Sequence, residues 1–262
     1  MNETIIRLGS FILLFALFAG AEAIFPRRKR LFSRRLRWPN NFVMVFLGAI
    51  SGRVFPLFIP VAAALAAEER GFGLFHLVKL PSPLSFILTL LILDLVIYFQ
   101  HRLFHRMQFL WKIHRMHHTD RDLDSSSALR FHPFEFIISL VIKTGAVWIT
   151  GASAGSVLVF EVLLNGAAMF NHANIRLPLK ADRVIRKILV TPDMHRIHHS
   201  IYRKETDSNY GFSLSWWDFI FRSYTDAPRD GQIDMKIGQK GFDDQKHLLF
   251  PWMIAVPFFK KG

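Results

Sequence analysis

The sequence predicts an all-α integral membrane protein with four to five membrane helices and a helical cap that carries clustered histidines. Three observations predict it. Hydrophobic residues make up 51% of the 262-residue chain, and mean hydropathy is positive at +0.25. Apolar runs near the roughly 20 residues that a bilayer crossing needs recur through the first two thirds. Eight of the twelve histidines fall in three runs: His101-Arg-Leu-Phe-His105, His114-Arg-Met-His117-His118 and His195-Arg-Ile-His198-His199.

Residues 4–25 read as the first membrane helix, with Arg7 near its start able to snorkel to the interface. Seven cations follow at once: Arg27, Arg28, Lys29, Arg30, Arg34, Arg35 and Arg37. Such a run beside an apolar segment marks the cytoplasmic side. Pro39 and Asn40 are expected to break the helix. A second apolar segment covers residues 41–66, with Gly48, Gly52, Arg53, Pro56 and Pro60 inside it. Arg53 is costly in lipid, so it faces the protein or the helix breaks near Pro56. Residues 67–82 read as a loop. Residues 84–100 form the third apolar helix, contain Asp94, and run straight into His101.

After His118 comes a polar loop, then Arg130-Phe-His132-Pro-Phe-Glu135. Residues 134–150 and 155–170 are shorter apolar segments joined by Gly151-Ala-Ser-Ala-Gly155, a tight hairpin that is either spanning or re-entrant. Residues 175–262 are mixed and aqueous, apart from an interfacial apolar end at 248–259. Three regions result: membrane helices and basic loop at 1–82, a catalytic region at 83–225, and a partly interfacial tail at 226–262. With the basic run in the cytoplasm, the third helix delivers His101–His118 to that side. The hairpin returns His172 and His195–His199 to the same face.

A net charge of +13 suggests nucleic acid at first sight, but the cations concentrate beside membrane helices, which excludes that reading. The absence of cysteine rules out disulfides, iron–sulfur clusters, thiolate haem and Cys-ligated zinc. The histidines carry the chemistry. Residues at i, i+3 and i+4 share a helical face, and neutral imidazole suits Zn, Cu, Fe and Ni. Eight imidazoles exceed one tetrahedral site, so the number points to two metal ions. One HxxHH is expected by chance about 0.02–0.03 times in such a chain; two, preceded by HxxxH, are not coincidence. Asp120, Asp122, Asp193, Asp218, Asn171 and Asn174 are candidates to orient imidazoles through the second ring nitrogen.

The ordered set of HRLFH, HRMHH, FHPFE, NHAN and HRIHH, then Asn209-Tyr210-Gly211 and Trp217-Asp218, resembles the fatty acid hydroxylase superfamily. That group includes sterol desaturases and alkylglycerol monooxygenase. The resemblance covers roughly residues 85–225. It implies a membrane oxidoreductase with a histidine-held dimetal centre, normally di-iron. Such enzymes use O2 and external electrons to hydroxylate or desaturate C–H bonds of a sterol, fatty acyl or ether lipid. By position it implies His101, His105, His114, His117, His118, His195, His198 and His199 as ligands, with His172 of NHAN as a ninth. It also implies His132 and Glu135 beside them. Electrons must come from a separate ferredoxin or cytochrome b5. The bacterial inner membrane, rather than the endoplasmic reticulum, is the expected location. One departure follows Trp217-Asp218: the family continues to Phe-Gly-Thr, and this chain reads Phe221-Arg222-Ser223, which puts the turn there in doubt.

Phe104, Phe131 and Phe170 are candidate lining for a lipid slot. Trp111, Trp216 and Trp217 read as interfacial anchors, and His76 and His247 as ordinary surface histidines. Two other functions compete. A metal transporter would carry ligands at the bilayer midplane, whereas these histidines sit at helix ends. A zinc hydrolase would need three ligands, an open position and a nearby general base, and no glutamate lies inside the three runs.

Overall fold

The computed structural model describes residues 3–54 and 58–260. The chain opens with α1 (Glu3–Ile24), α2 (Arg34–Val54), α3 (Pro60–Arg70), α4 (Leu74–Leu77) and α5 (Ser82–Arg106). It continues through α6 (Gln108–His118), α7 (Pro133–Thr150), α8 (Ala154–His172), α9 (Leu179–Ile185) and α10 (Pro192–His198). Four of these, α1, α5, α7 and α8, are long and apolar enough to cross a membrane. Among the described residues the extended pairings are isolated bridges, such as Pro26 with Ile175. The protein is all-α and membrane-integral.

The second apolar segment differs from expectation. It starts at Arg34, and Pro39 lies inside α2 instead of breaking it. A proline in the second turn removes one donor, and here the acceptor that loses its partner is a carbonyl near the helix start. Four arginines leave α2 outside the set of apolar spans. At ~1.5 Å per residue it is still about 31 Å long and packs along α7. Arg53 is exposed in its last turn. The break expected at Pro56 falls outside the described residues. Residues 67–82 are not a plain loop: α3 runs to Arg70, ends on Gly71 in the left-handed conformation at φ 58°, and α4 follows.

Helix α8 is central, touching α1, α3, α5 and α10. Val61, Ala64, Leu93, Ile97, Val147, Val157 and Phe160 form the main apolar core between α3, α5, α7 and α8. The α7–α8 hairpin turns on Gly151 (φ 69°) and the Ser153 cap of α8. Gly73 packs against it so closely that a Cβ there would stand 2.3 Å from the Gly151 nitrogen. Only glycine fits both positions. Helix α1 buries little apolar surface and is stapled at its ends instead. Arg7 pairs with Glu3 and with Glu161 of α8. Glu22 accepts from the Ser125 nitrogen and hydroxyl at 2.6 Å and from the Asn174 nitrogen at 3.1 Å, and pairs with Arg34 at 2.9 Å.

The basic run is therefore not a solvated loop. Lys29, Arg30 and Arg35 are exposed, but Arg27 pairs with Asp193, and Arg37 is fully buried between Asp120 and Asp124. Burial pushes the Asp120 carboxyl up, yet Arg37 and Arg130 beside it hold it below the usual range. Asp122 accepts the Leu31 and Phe32 nitrogens, and burial raises its carboxyl to about 6. The tail is not simply interfacial. Met253 and Val256 are fully buried against Met44, Met116 and Phe242, and the Arg115 guanidinium donates to the Val256 carbonyl at 2.8 Å. His247 is likewise buried, beside Phe242.

Breaking a buried ion pair from one side leaves a bare charge and costs about 3–5 kcal/mol. Arg37→Ala, which strands Asp120 and Asp124, is expected to lower the detergent-solubilised melting temperature sharply. An unchanged melting curve would contradict the role given to this network.

Candidate metal centre

All nine histidines expected as ligands converge, in two groups. His101, His105, His114, His118 and His198 form one, and His117, His172, His195 and His199 form the other. Within each group the candidate ligand atoms lie within 4.8 Å of one another. All nine are buried. The partition does not follow the sequence runs. Each HxxHH run sends its i,i+4 pair to one group and its i+3 histidine to the other. At 3.6 residues per turn, i+4 lies about 40° from i, whereas i+3 and i+4 are about 100° apart. His117 and His118 therefore straddle two centres, and so do His198 and His199.

The hydrogen bonds of the outer ring nitrogens decide what the inner nitrogens are. His101 Nδ1 donates to the Tyr210 carbonyl at 2.8 Å, His117 Nδ1 to Arg130 at 3.2 Å, His172 Nδ1 to Ala168 at 2.7 Å, and His198 Nδ1 to Ser208 at 2.7 Å. A carbonyl only accepts, so each Nδ1 carries the proton, and a neutral imidazole then has a bare Nε2. Yet His172 Nε2 stands 2.9 Å from His117 Nε2. His114 Nε2 lies 3.2 Å from both His101 Nε2 and His118 Nε2, and His195 Nε2 lies 3.1 Å from His172 Nε2. For His117 with His172 and for His101 with His114, whose Nδ1 protons are taken by carbonyls or by Glu135, two lone pairs face each other at this distance and repel. With metal–nitrogen bonds of ~2.1 Å, neighbouring ligands around one ion stand about 3 Å apart. The donor set thus fits two metal ions. His105 Nε2 and His198 Nε2, buried without a hydrogen bond, are free for the same role.

The electrostatics agree. Burial above all, and then neighbouring imidazoles, push His117, His118, His195 and His199 well below 6.5; burial takes His198 to about 3. Neutral imidazole is the ligating form.

The orienting residues were only partly foreseen. Glu135 accepts from His114 Nδ1 at 2.7 Å, an arrangement that holds a ligating ring in one tautomer. Asp207, which no spacing singles out, faces His105 Nδ1 at 3.3 Å. Asp218 acts through a loop: it accepts the Tyr210 and Gly211 nitrogens at 2.8 Å, fixing the loop whose carbonyl takes His101. A Cβ on Gly211 would meet Asp218 Oδ2 at 2.8 Å. The other candidates serve elsewhere. Asp120 and Asp122 hold the basic loop, and Asp193 pairs with Arg27 and Arg196. Asn174 binds the Arg28 backbone, while Asn171 donates to the Phe212 carbonyl. His132 caps α7 through Nδ1 and reaches the Ile254 carbonyl through Nε2. Trp111 is no interfacial anchor: it is buried, 4.8 Å from the His105 ring and 5.2 Å from His118.

A cavity of about 250 Å³ ends on His101, His114 and Glu135 and runs between α1, α2, α5, α7 and α8, lined by Phe131, Phe136, Leu164 and Phe212. Phe131 also stacks on His117 at 4.8 Å. Phe104 packs edge-on to His114, and Phe170 lines a different, larger groove.

Residues 86–223, more than half of the chain, match the family described as fatty acid hydroxylase. Ornithine lipid hydroxylase OlsE from Rhizobium tropici is 27% identical over 83% of this chain and 63% of its own length. Human alkylglycerol monooxygenase is 30% identical over 57% of this chain and 33% of its own. Sphinganine C4-monooxygenase 1 from Arabidopsis thaliana is 27% identical over 53% and 54%. The chain thus spans between a third and just under two thirds of the length of these relatives. No solved structure matches.

The departure at Phe221-Arg222-Ser223 leaves the turn intact. Arg222 takes φ 56° where the family pattern has glycine, and Ser223 still donates to Asp218 at 2.6 Å. A non-glycine residue there costs about 1–2 kcal/mol, partly offset by the extra freedom that glycine has in the unfolded chain. Arg222→Gly is expected to stabilise the protein by about 0.5–1 kcal/mol, read as a higher melting temperature at unchanged metal content. For the ligand set, His172→Ala should lower bound metal from two ions per chain toward one by elemental analysis. His132→Ala should keep both metals and cost about 1 kcal/mol as a lost cap.

Proposed function

The chain belongs to the fatty acid hydroxylase family, and from that premise we propose that it is a membrane-bound, O2-dependent lipid hydroxylase. The nine histidines of the two groups would hold two metal ions. Iron fits best, because imidazole suits it and zinc has no redox chemistry. Bound there, the ions supply the activation of O2 that attack on an unactivated C–H bond requires.

What the chain itself does follows from its residues. Glu135 keeps His114 in one tautomer. The Tyr210, Arg130, Ala168 and Ser208 carbonyls do the same for four more rings. The cavity that ends on His101 and His114 carries the reading: it lies among membrane-crossing helices and opens the five-histidine group toward an apolar chain. Phe131, Phe136 and Leu164 exclude water along it. Relatives named for ornithine lipid, alkylglycerol and sphinganine support a lipid substrate. Their hydroxylase and monooxygenase names favour hydroxylation over desaturation. The two competing readings lose ground, since four- and five-imidazole sets at helix ends suit neither a midplane transport site nor an open three-ligand zinc. The exposed Lys29, Arg30 and Arg35 support a cytoplasmic position for the cap, in a bacterial inner membrane.

Lipid profiling under 18O2, with and without the metal-loaded protein, tests this. A lipid gaining one 18O is expected. Loss of two hydrogens would mean desaturation, and no lipid change would overturn the reading. Ser139→Phe, on the α7 face of the cavity, should depress turnover while leaving both metals bound. Undiminished turnover would move the substrate out of this cavity.

A further inference from the structure

We propose that the pocket over His105 is the docking site of an acidic one-electron carrier protein, and that Trp111 and His105 lie on the route of its electrons to the five-histidine group. This rests on the hydroxylase reading. Hydroxylation balances as R–H + O2 + 2e− + 2H+ → R–OH + H2O. The O–O bond breaks, one oxygen enters the C–H bond and the other leaves as water. Two electrons must therefore be supplied. These 262 residues, without cysteine, hold neither an iron–sulfur cluster nor thiolate haem, and their surface offers a place where a protein donor can supply the electrons. They must also enter where the lipid does not.

The five-histidine group is approached from two directions. From the membrane, the lipid cavity ends on His101 and His114. One turn further along α5, beyond the apolar stretch, a second pocket of about 390 Å³ ends on His105, lined by Arg106, Gln108, Trp111, Arg203 and Lys240. Trp111 forms its inner wall and contacts the rings of both His105 and His118. The Arg203 guanidinium lies 5.0 Å over the Trp111 face and donates to the His105 carbonyl at 2.9 Å. Arg106, Arg203 and Lys240 are exposed, as are the neighbouring Lys112 and Lys204. The nearby Asp207 is turned inward, paired with Arg203 and His105. The rim is thus positive and ends on a buried aromatic pair touching candidate ligands. Such a surface attracts an acidic partner and raises its encounter rate, an effect that salt screens over ~10 Å at 0.1 M.

The test uses the full-length, metal-loaded protein in nanodiscs, with reduced plant-type [2Fe–2S] ferredoxin as the acidic donor and stopped-flow detection of donor oxidation. Arg106→Glu with Lys240→Glu should lower the second-order rate by about tenfold or more at low salt. The gap should close at high salt, and reduction by dithionite should be unchanged. Trp111→Leu should lower the limiting rate at saturating ferredoxin while leaving the half-saturating concentration alone. Equal ferredoxin rates for parent and double variant at low salt would overturn the proposal, as would a parent that ferredoxin never reduces. Ferredoxin-driven reduction that shows the charge dependence but yields no lipid product would sink the hydroxylase reading and leave the docking site standing.

Discussion

Bare imidazole nitrogens facing one another at about 3 Å are the constraint on which the rest of this structure depends. Left alone, the Nε2 lone pairs of His117 and His172, 2.9 Å apart, would drive their helices away from each other or gain a proton. The fold blocks both routes. Burial disfavours the charged imidazole, and outer-ring hydrogen bonds to carbonyls and to Glu135 occupy the proton of His101, His114, His117, His172 and His198. Much of the remaining architecture exists to hold those acceptors still. Asp218 and Gly211 fix the loop bearing the Ser208 and Tyr210 carbonyls. Arg37, Asp120, Asp124 and Arg130 fix the turn that carries the Arg130 carbonyl. A few of the chain's cations, Arg37, Arg115, Arg130 and Arg196, are internal scaffolding rather than binding surface.

The position of the histidines along α5 then organises access. His101 and His105 are one turn apart on a helix that leaves the apolar layer between them and the cap. The His101 side faces the apolar cavity among the membrane helices, while the His105 side faces the cap pocket. The five-histidine group therefore has an apolar approach and a polar approach on separate faces. The four-histidine group is enclosed more completely, with Phe131 stacked on His117 and the α8 terminus supplying His172.

Some of this was legible in the sequence and some was not, for identifiable reasons. Apolar length marked α1, α5, α7 and α8, because crossing a bilayer demands it. It misjudged α2, because Pro39 in a second turn costs little, and because Arg34 and Arg37, which would be ruinous in lipid, are neutralised by Glu22 and by Asp120 and Asp124. Aspartates close in sequence to the histidine runs looked like orienting groups, yet Asp120, Asp122 and Asp193 answer the basic loop. Asp207, which does face a ligand ring, lies in no pattern. Trp111 has the composition of an interfacial anchor and instead lies buried against two candidate ligands.

By itself the sequence determined the helical membrane architecture, the histidine runs able to ligate metal and the family, since all three rest on residue type and spacing along single helices. It also determined that His101 and His105 stay together, as do the i,i+4 pairs of each HxxHH run. Only the tertiary structure decided which histidines stand together. The i+3 member of each run points about 100° away from its neighbour, and what it meets there depends on how α6, α8 and α10 cross, which no local spacing encodes.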